Sequence, residues 1–187
     1  MTTPLTIRDI RHDEHGPLGQ LMVEVYSQLE GFPSPVEQPR YYEMLANIGD
    51  FATKVDTRVL VAMTGDGLLV GGVVYFGDMA AYGSGGTATA VTRASGIRLL
   101  GVSPLARGMG VGRALTEACI RLARDKRHAR VVLHTTEAMR VAWSMYERLG
   151  FERTLDLDFM QGALPVFGFS LWLDGAGAGL HEADGDG

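Results

Sequence analysis

Hydrophobic residues recur along this chain with two periods that alternate, a pattern typical of a mixed α/β domain. Apolar positions three and four residues apart predict helices over residues 17–28, 40–48, 110–126 and 141–149. Alternating or continuous apolar runs predict strands over residues 6–11, 58–63, 68–76, 97–102 and 131–134, and two more strands between 155 and 173. The resulting order, β-α-α-β-β-β-α-β-α-β-β, predicts a mixed sheet flanked by helices, with one parallel connection.

Turn residues separate these elements. Gly65, Asp66 and Gly67 predict a tight hairpin between the second and third strands. The segment 77–95, rich in Gly, Ala and Thr, is predicted to be a long mobile loop. The segment 175–187 has almost nothing to bury, so we predict a flexible tail behind a single domain over residues 1–174.

Composition narrows the class of protein. The 187 residues are 46% hydrophobic and 21% charged, as expected for a globular protein with its own core. A net charge of −5 argues against a nucleic-acid partner, which needs a basic face. The single cysteine, Cys119, excludes an internal disulfide and a cysteine-rich metal site, and we predict no metal. No leader or membrane-spanning run is apparent, so we expect a cytoplasmic protein without a membrane partner.

The segment that follows the strand 97–102 carries the clearest chemical signal. Alternate glycines stand there between two arginines: Arg107, Gly108, Gly110, Gly112 and Arg113. Backbone N–H groups at the start of the following helix, together with the helix dipole, would form a cradle for pyrophosphate. A nucleotide-binding protein is the weaker alternative. The G-x-G-x-x-G pattern fails at Arg113, and no Gly-Lys-Ser/Thr sequence is present.

Two segments of the chain resemble motifs of the GNAT superfamily of acyl-CoA-dependent N-acyltransferases. The first is Arg-x-x-Gly-x-Gly, formed by Arg107, Gly110 and Gly112. The second, over residues 142–151, resembles the family segment A-x-x-x-Tyr-Glu-x-Leu-Gly-Phe. The order of elements is also that of the family. The resemblance implies an α/β (α+β) fold with a mostly antiparallel central sheet that is splayed between its fourth and fifth strands.

The resemblance further implies an acetyl-CoA site. The backbone of the fourth strand would bind the pantetheine arm through Leu100, Gly101 and Val102. The pyrophosphate would be held by the N–H groups of Gly108, Met109, Gly110, Val111, Gly112 and Arg113, with charge added by the side chains of Arg107 and Arg113. Gly101 could form the bulge that widens the gap between strands, or it could be a small residue under a crowded core.

For the chemistry, the resemblance implies transfer of acetyl to a primary amine by direct attack, through a tetrahedral intermediate. Tyr146 would protonate the departing thiolate, since a phenol with a pKa near ~10 is neutral and can donate. Its helical spacing alone would equally place it in the core. The fourth strand offers no carboxylate, which leaves Glu137 and His134 as candidates for the general base. Met139 stands where many relatives carry an asparagine that contacts the cofactor.

The sequence leaves the acceptor, the presence of catalysis and the oligomeric state open. The acceptor could be a small amine or a protein amine. Aromatic residues with few acids in the segments 29–42 and 77–95 argue against a polycationic acceptor. A non-catalytic acyl-CoA-binding regulatory module is the alternative function, because it would keep the cradle and need no acid or base. A homodimer is a further expectation. Phe169 and Trp172 offer an interface unless they pack on the chain's own core.

Overall fold

Helices and strands follow the order that the hydrophobic pattern predicts as far as the fourth helix, after which the structure has three strands where two were predicted. The computed structural model describes residues 4–83 and 85–173. The helices are α1 (His15–Ser27), α2 (Pro39–Ala46), α3 (Val111–Asp125) and α4 (Arg140–Arg148). The strands are β1 (Leu5–Asp9), β2 (Thr57–Thr64), β3 (Leu69–Phe76), β4 (Ala94–Val102), β5 (Arg130–Thr135), β6 (Glu152–Arg153), β7 (Phe159–Gln161) and β8 (Leu164–Trp172).

The strands form a mixed sheet in the order β1-β2-β3-β4-β5-β8-β6, and β7 pairs with β8. Each pairing is antiparallel except that of β4 with β5, which α3 connects. The two parallel strands pair only from Ala94 to Ile97 on β4, and beyond this point they separate. The predicted fold class and the splay between the fourth and fifth strands are therefore confirmed.

Each face of the sheet carries its own core, which explains why the helices are amphipathic. On one face, α3 and α4 bury Val111, Leu115 and Tyr146 against β3, β4 and β5. On the other face, α1 and α2 bury Leu18 and Leu45, together with a 3-10 helix over Ile48–Thr53. The proline at the first position of α2 fits the fixed φ that a helix start requires.

A β-bulge in β4 lies where the strands separate. Gly101 pairs with Gly72 and Arg98 pairs with Val74, so Leu99 and Leu100 together oppose a single residue of β3. Leu99 adopts the left-handed φ of +59°, which is costly for a leucine. Gly101 is therefore not the bulge residue. A Cβ at Gly101 would lie 2.4 Å from the Met22 Sδ atom of α1, so the Met22 side chain would have to shift to accept any larger residue there.

Two predictions about local structure are wrong. The segment 77–95 is not wholly an open loop, because it includes two 3-10 turns that bury Met79, Tyr82 and Ala88. The segment Leu155–Leu157 is a 3-10 helix and not a strand. The apolar alternation of this segment does not produce a strand, because a side chain takes the place of a strand as the hydrogen-bond partner of β8 here. The Gly168 N–H donates to the Asp158 carboxylate, at 2.7 Å.

Other features bear on the expected partners. Within residues 4–83 and 85–173, no helix is long and apolar enough to span a membrane. Phe169 is buried against Trp143, with ring centroids 4.9 Å apart, so it belongs to the chain's own core and cannot supply an interface. Trp172 remains half exposed. The tail predicted over residues 175–187 lies outside the described residues.

Candidate active site

The separation of β4 from β5 opens a cleft of about 1280 Å³ that reaches both faces of the sheet. This cleft brings together every site residue predicted from the sequence except Met109, which packs partly buried against the core. The backbone of β4 beyond Ile97 has no β5 partner, and it forms one wall. The start of α3 forms one end of the cleft, and the segment after β5 with α4 forms the opposite wall.

The glycine loop has the conformation of an anion cradle. Gly108 and Gly110 have φ of +82° and +75°, which other residues rarely adopt. Gly110 is the N-cap of α3, so the N–H groups that follow it have no acceptor inside the helix. Gly112 differs, because a Cβ there would meet no atom nearer than 3.6 Å. The fold itself therefore tolerates a side chain at Gly112, and a closely approaching ligand would not.

Arginines surround this end of the cleft. Arg107 and Arg113 are exposed there, and Arg140 and Arg148 of α4 also line it. The Arg113 Nε–H donates to the Glu117 carboxylate, one turn further along α3, at 2.8 Å. The concentration of cations is local, since the whole chain carries a net charge of −5. It suits a ligand with several phosphates.

Tyr146 is a buried phenol whose hydroxyl forms no hydrogen bond within the described residues. It is 5% exposed and packs against Phe151, with centroids 5.6 Å apart. Gly150, with φ of +101°, ends α4 and lets the Phe151 N–H bond the Tyr146 carbonyl. Burial raises the pKa of Tyr146 well above its ordinary value, so the group stays protonated. It can donate a proton and cannot act as a base near neutral pH.

His134 is held by both ring nitrogens. Nε2 lies 2.7 Å from the Leu157 carbonyl, which can only accept, so this nitrogen carries the hydrogen. Nδ1 lies 2.8 Å from the Tyr82 hydroxyl and accepts from it. Burial also lowers the pKa of His134, which favours the neutral ring. The structure therefore does not support His134 as the general base, because its accepting nitrogen is already occupied.

Two further residues at the end of β5 line the cleft. Glu137 is exposed, and its carboxylate forms no ion pair or hydrogen bond within residues 4–83 and 85–173. Thr136, which sequence reasoning missed, is 4% exposed, and its Oγ1 atom is the one buried side-chain oxygen or nitrogen of the described chain without a partner. A buried hydroxyl without a partner is costly, and such groups commonly mark ligand sites. The only signal in the sequence was a polar pair directly after an apolar strand.

The opposite end of the cleft is aromatic. Three aromatic rings contact one another there, with ring centroids 5.6 to 6.1 Å apart. They belong to Tyr26 of α1, Tyr41 of α2 and Phe32 of the segment between these helices. The Tyr26 hydroxyl donates to the Leu100 carbonyl of the bulge, at 2.8 Å, which ties α1 to β4. Arg98 of β4 also lines this end. The cleft therefore has a cationic end at the start of α3, a phenol at its centre and an apolar end.

Neither a metal nor a cysteine nucleophile is provided by the described part of the chain. It contains no cluster of three or more His, Cys, Asp or Glu side chains that could hold a metal ion. Cys119 lies in the core beneath α3, away from the cleft, and burial raises its pKa to about 12. Cys119 therefore does not offer a nucleophile to the cleft.

Comparison with known proteins relates the sequence and the fold to acetyltransferases. Residues 22–151 match the Acetyltransferase (GNAT) family. The fold resembles a GNAT acetyltransferase from Staphylococcus aureus, with a TM-score of 0.69 and 14% identity over 91% of this chain and 99% of that one. It also resembles the PaiA N-acetyltransferase of Thermoplasma acidophilum in complex with coenzyme A, with a TM-score of 0.67 and 13% identity over 88% and 98% of the two chains.

A curated relative shares more sequence over a shorter stretch. A mycothiol acetyltransferase of an Arthrobacter species is 47% identical over 66 residues, which are 35% of this chain. The aligned stretch spans 20% of that protein, so the likeness concerns a small part of it. Because the family match covers well over half of the sequence, this chain belongs to the GNAT acetyltransferase family.

Proposed function

We propose that this protein is an N-acetyltransferase that passes the acetyl group of acetyl-CoA directly to a primary amine. The observation that carries the proposal is Tyr146, whose ring is buried while its hydroxyl is open to the cleft and has no hydrogen-bond partner within the described residues. A merely structural tyrosine would satisfy its hydroxyl, as Tyr75 does with Ser95 at 2.7 Å.

The cleft is suited to coenzyme A along its whole length. The unpaired edge of β4 offers backbone groups to an extended amide chain, in the manner of an added strand. The N–H groups at the start of α3 and the four nearby arginines suit the phosphates. Thr136 offers a buried hydroxyl that lacks a partner. The bound cofactor would supply an acetyl group activated as a thioester.

The protein's own residues would manage the protons. Tyr146 holds a proton that it can give to the leaving sulfur, and a positioned acid of this kind contributes on the order of 10²–10⁴ in rate. Glu137 is the proposed acceptor of the proton that the amine loses, because its carboxylate faces the cleft without a partner in the described chain. Direct transfer is supported by the absence of a cysteine among the lining residues.

The decisive experiment compares thiol release from acetyl-CoA by the wild type and by Tyr146→Phe over a panel of amines. We expect the variant to lose about a hundredfold or more in kcat, with the acetyl-CoA dissociation constant unchanged by calorimetry. Tyr75→Phe is the matched control, since it removes a buried hydroxyl outside the cleft. Cofactor binding without turnover of any amine would instead support an acyl-CoA-binding regulatory module.

A further inference from the structure

Arg98 lies at the apolar end of the cleft, where it forms no ion pair with any residue that the structure describes. Its Nη1 donates to the Tyr82 carbonyl at 3.0 Å, and its Nη2 lies 3.9 Å from the Met44 sulfur. Within the described residues, no carboxylate comes within ion-pair distance of the guanidinium. An arginine stays charged in proteins and has five N–H donors, so most of its hydrogen-bonding capacity is unused here.

This arginine is separate from the phosphate-binding end. Its guanidinium packs over the rings of Phe51 and Tyr82, at 6.0 and 5.9 Å, and beside Met44 of α2. These residues belong to the core on the α1 and α2 face of the sheet. The cradle at the start of α3 belongs to the opposite face. Arg98 therefore lies on the α1 and α2 face of the sheet and not beside the cradle at the start of α3.

The surfaces around Arg98 are neutral and apolar. Tyr26, Phe32 and Tyr41 form the aromatic wall, and burial raises the pKa of Tyr41 to about 12, so its phenol carries no charge. The carboxylates that line the cleft in the described chain are Glu30 and Glu137, and both are exposed. A half-buried cation beside an aromatic wall repels polycations and attracts an anion.

We propose that Arg98 binds the carboxylate of the acceptor, and that the acceptors are small amino carboxylic acids with an apolar or aromatic side chain. This inference rests on the proposed acetyltransferase function. The planar guanidinium fork matches a carboxylate in geometry and charge. The aromatic wall takes the apolar body of the same molecule by burial and ring contacts. The amine of an amino acid lies beside its carboxylate, which places it near the bulge that follows Arg98.

Pairs of acceptors that differ only in the carboxylate test this assignment. The pairs are phenylalanine with phenethylamine, tyrosine with tyramine, and leucine with isoamylamine. Each compound is assayed for thiol release from acetyl-CoA and, separately, titrated by calorimetry with and without desulfo-coenzyme A, which cannot react. We expect the wild type to favour at least one acid over its amine about tenfold or more, as for a charge-assisted hydrogen bond.

The variants Arg98→Met and Arg98→Lys assign that preference to the guanidinium. We expect Arg98→Met to lose it, and Arg98→Lys to keep only part, because lysine retains the charge without the fork. Arg40→Met, at an exposed arginine of the neighbouring helix α2, should leave the preference unchanged. Thermal unfolding of each variant shows whether it has folded.

The outcomes separate this inference from the function on which it rests. Equal or better binding of the amines, or an acid preference that survives Arg98→Met, would overturn the role of Arg98. Desulfo-coenzyme A bound by the wild type with none of the acids bound would overturn the acceptor class and leave the acetyltransferase standing. Failure to bind desulfo-coenzyme A would count against the proposed function, while the titrations without it still measure the acid preference.

Discussion

Tyr146 is buried and His134 is half-buried in the lining of one cleft, and the two side chains differ in what their polar atoms contact. The Tyr146 hydroxyl has no partner within the described residues, whereas both nitrogens of His134 are bonded. The sequence indicated Tyr146 as the acid and His134 as one of two candidate bases, but it could not show which side chain is bonded to the protein. The atoms that decide belong to Tyr82 and Leu157, which are 52 and 23 residues away from His134 along the chain. Such contacts leave no local pattern.

Replacing Thr136 should change the stability of the free protein and its affinity for acetyl-CoA in opposite directions. Thr136→Val removes a buried hydroxyl that lacks a partner and keeps the side-chain shape. We expect the free protein to gain about 1 kcal/mol of unfolding free energy, because the desolvation cost disappears. We also expect acetyl-CoA affinity to fall roughly fivefold to tenfold, because a bond to the cofactor would be lost. Urea unfolding and calorimetry measure the two effects.

Thr116→Val is the matched control for this experiment. The Thr116 hydroxyl is equally buried but donates to the Gly112 carbonyl, at 2.8 Å. Removing a bond that is already made should destabilise the free protein by about 1 kcal/mol. A loss of stability in both variants would contradict the view that the Thr136 hydroxyl waits for a ligand.

At the scale of elements, the bulge in β4 shows why the sheet opens where it does. Leu99 holds a left-handed backbone, which costs about 1–3 kcal/mol and which its buried side chain offsets in part. The extra residue turns the end of β4 away from β5. The family resemblance predicted the splay, but the sequence could not locate the bulge. Leucine has no preference for positive φ, and the neighbouring Gly101 drew attention to the wrong residue.

The glycine loop gives a prediction that separates ligand approach from backbone strain. Gly112→Ala adds a Cβ with only ordinary contacts, so the variant should fold with unchanged or slightly raised stability. We expect its acetyl-CoA affinity to fall by about tenfold or more, because a methyl group would occupy the space of the phosphates. Calorimetry and thermal unfolding on the same sample provide both quantities.

Gly110→Ala serves as the contrasting variant. At φ of +75°, alanine is strained, so this change should lower stability by about 1 kcal/mol whether or not a ligand is present. Affinity that stays at the wild-type level in Gly112→Ala would show that the phosphates do not approach this turn of α3.

At the scale of the whole molecule, the sequence predicted a sheet with helices on both faces. It predicted one end of the cleft but not the other. Helix and strand periodicity reports which face of each element is buried, so the two cores followed from it. The glycine loop at the proposed phosphate-binding end is one continuous segment and could be found from its glycines. The apolar end is assembled from α1, α2 and β4, which are distant in the chain. Arg98 stood in the sequence only as a position without a carboxylate.

The free energy of unfolding of the whole protein should decrease in two separate stages as the pH is lowered. Burial lowers the pKa of His134 and His128 below the ordinary value of 6.5. Between pH 6.5 and the lower pKa values of the folded state, the unfolded chain binds more protons than the folded chain. The stability that the two neutral histidines contribute is therefore complete above pH 6.5, and it is lost as the pH falls through the folded pKa values. Arg8 lowers the pKa of Glu14 to about 2 from 4.5. Its contribution is complete above 4.5 and is lost only as pH falls towards 2.

Urea unfolding at about pH 7.5, 5.5 and 3.5 tests these stages with two variants. His134→Gln should show a smaller loss of unfolding free energy than the wild type between the first two values, because one group that drives the loss is gone. Glu14→Gln should match the wild type there and lose less between the second and third values. If His134→Gln loses as much stability as the wild type on the first step, His134 is not held neutral by its surroundings. Its bonds to Tyr82 and Leu157 would then leave it free to titrate, and it would return as a candidate base.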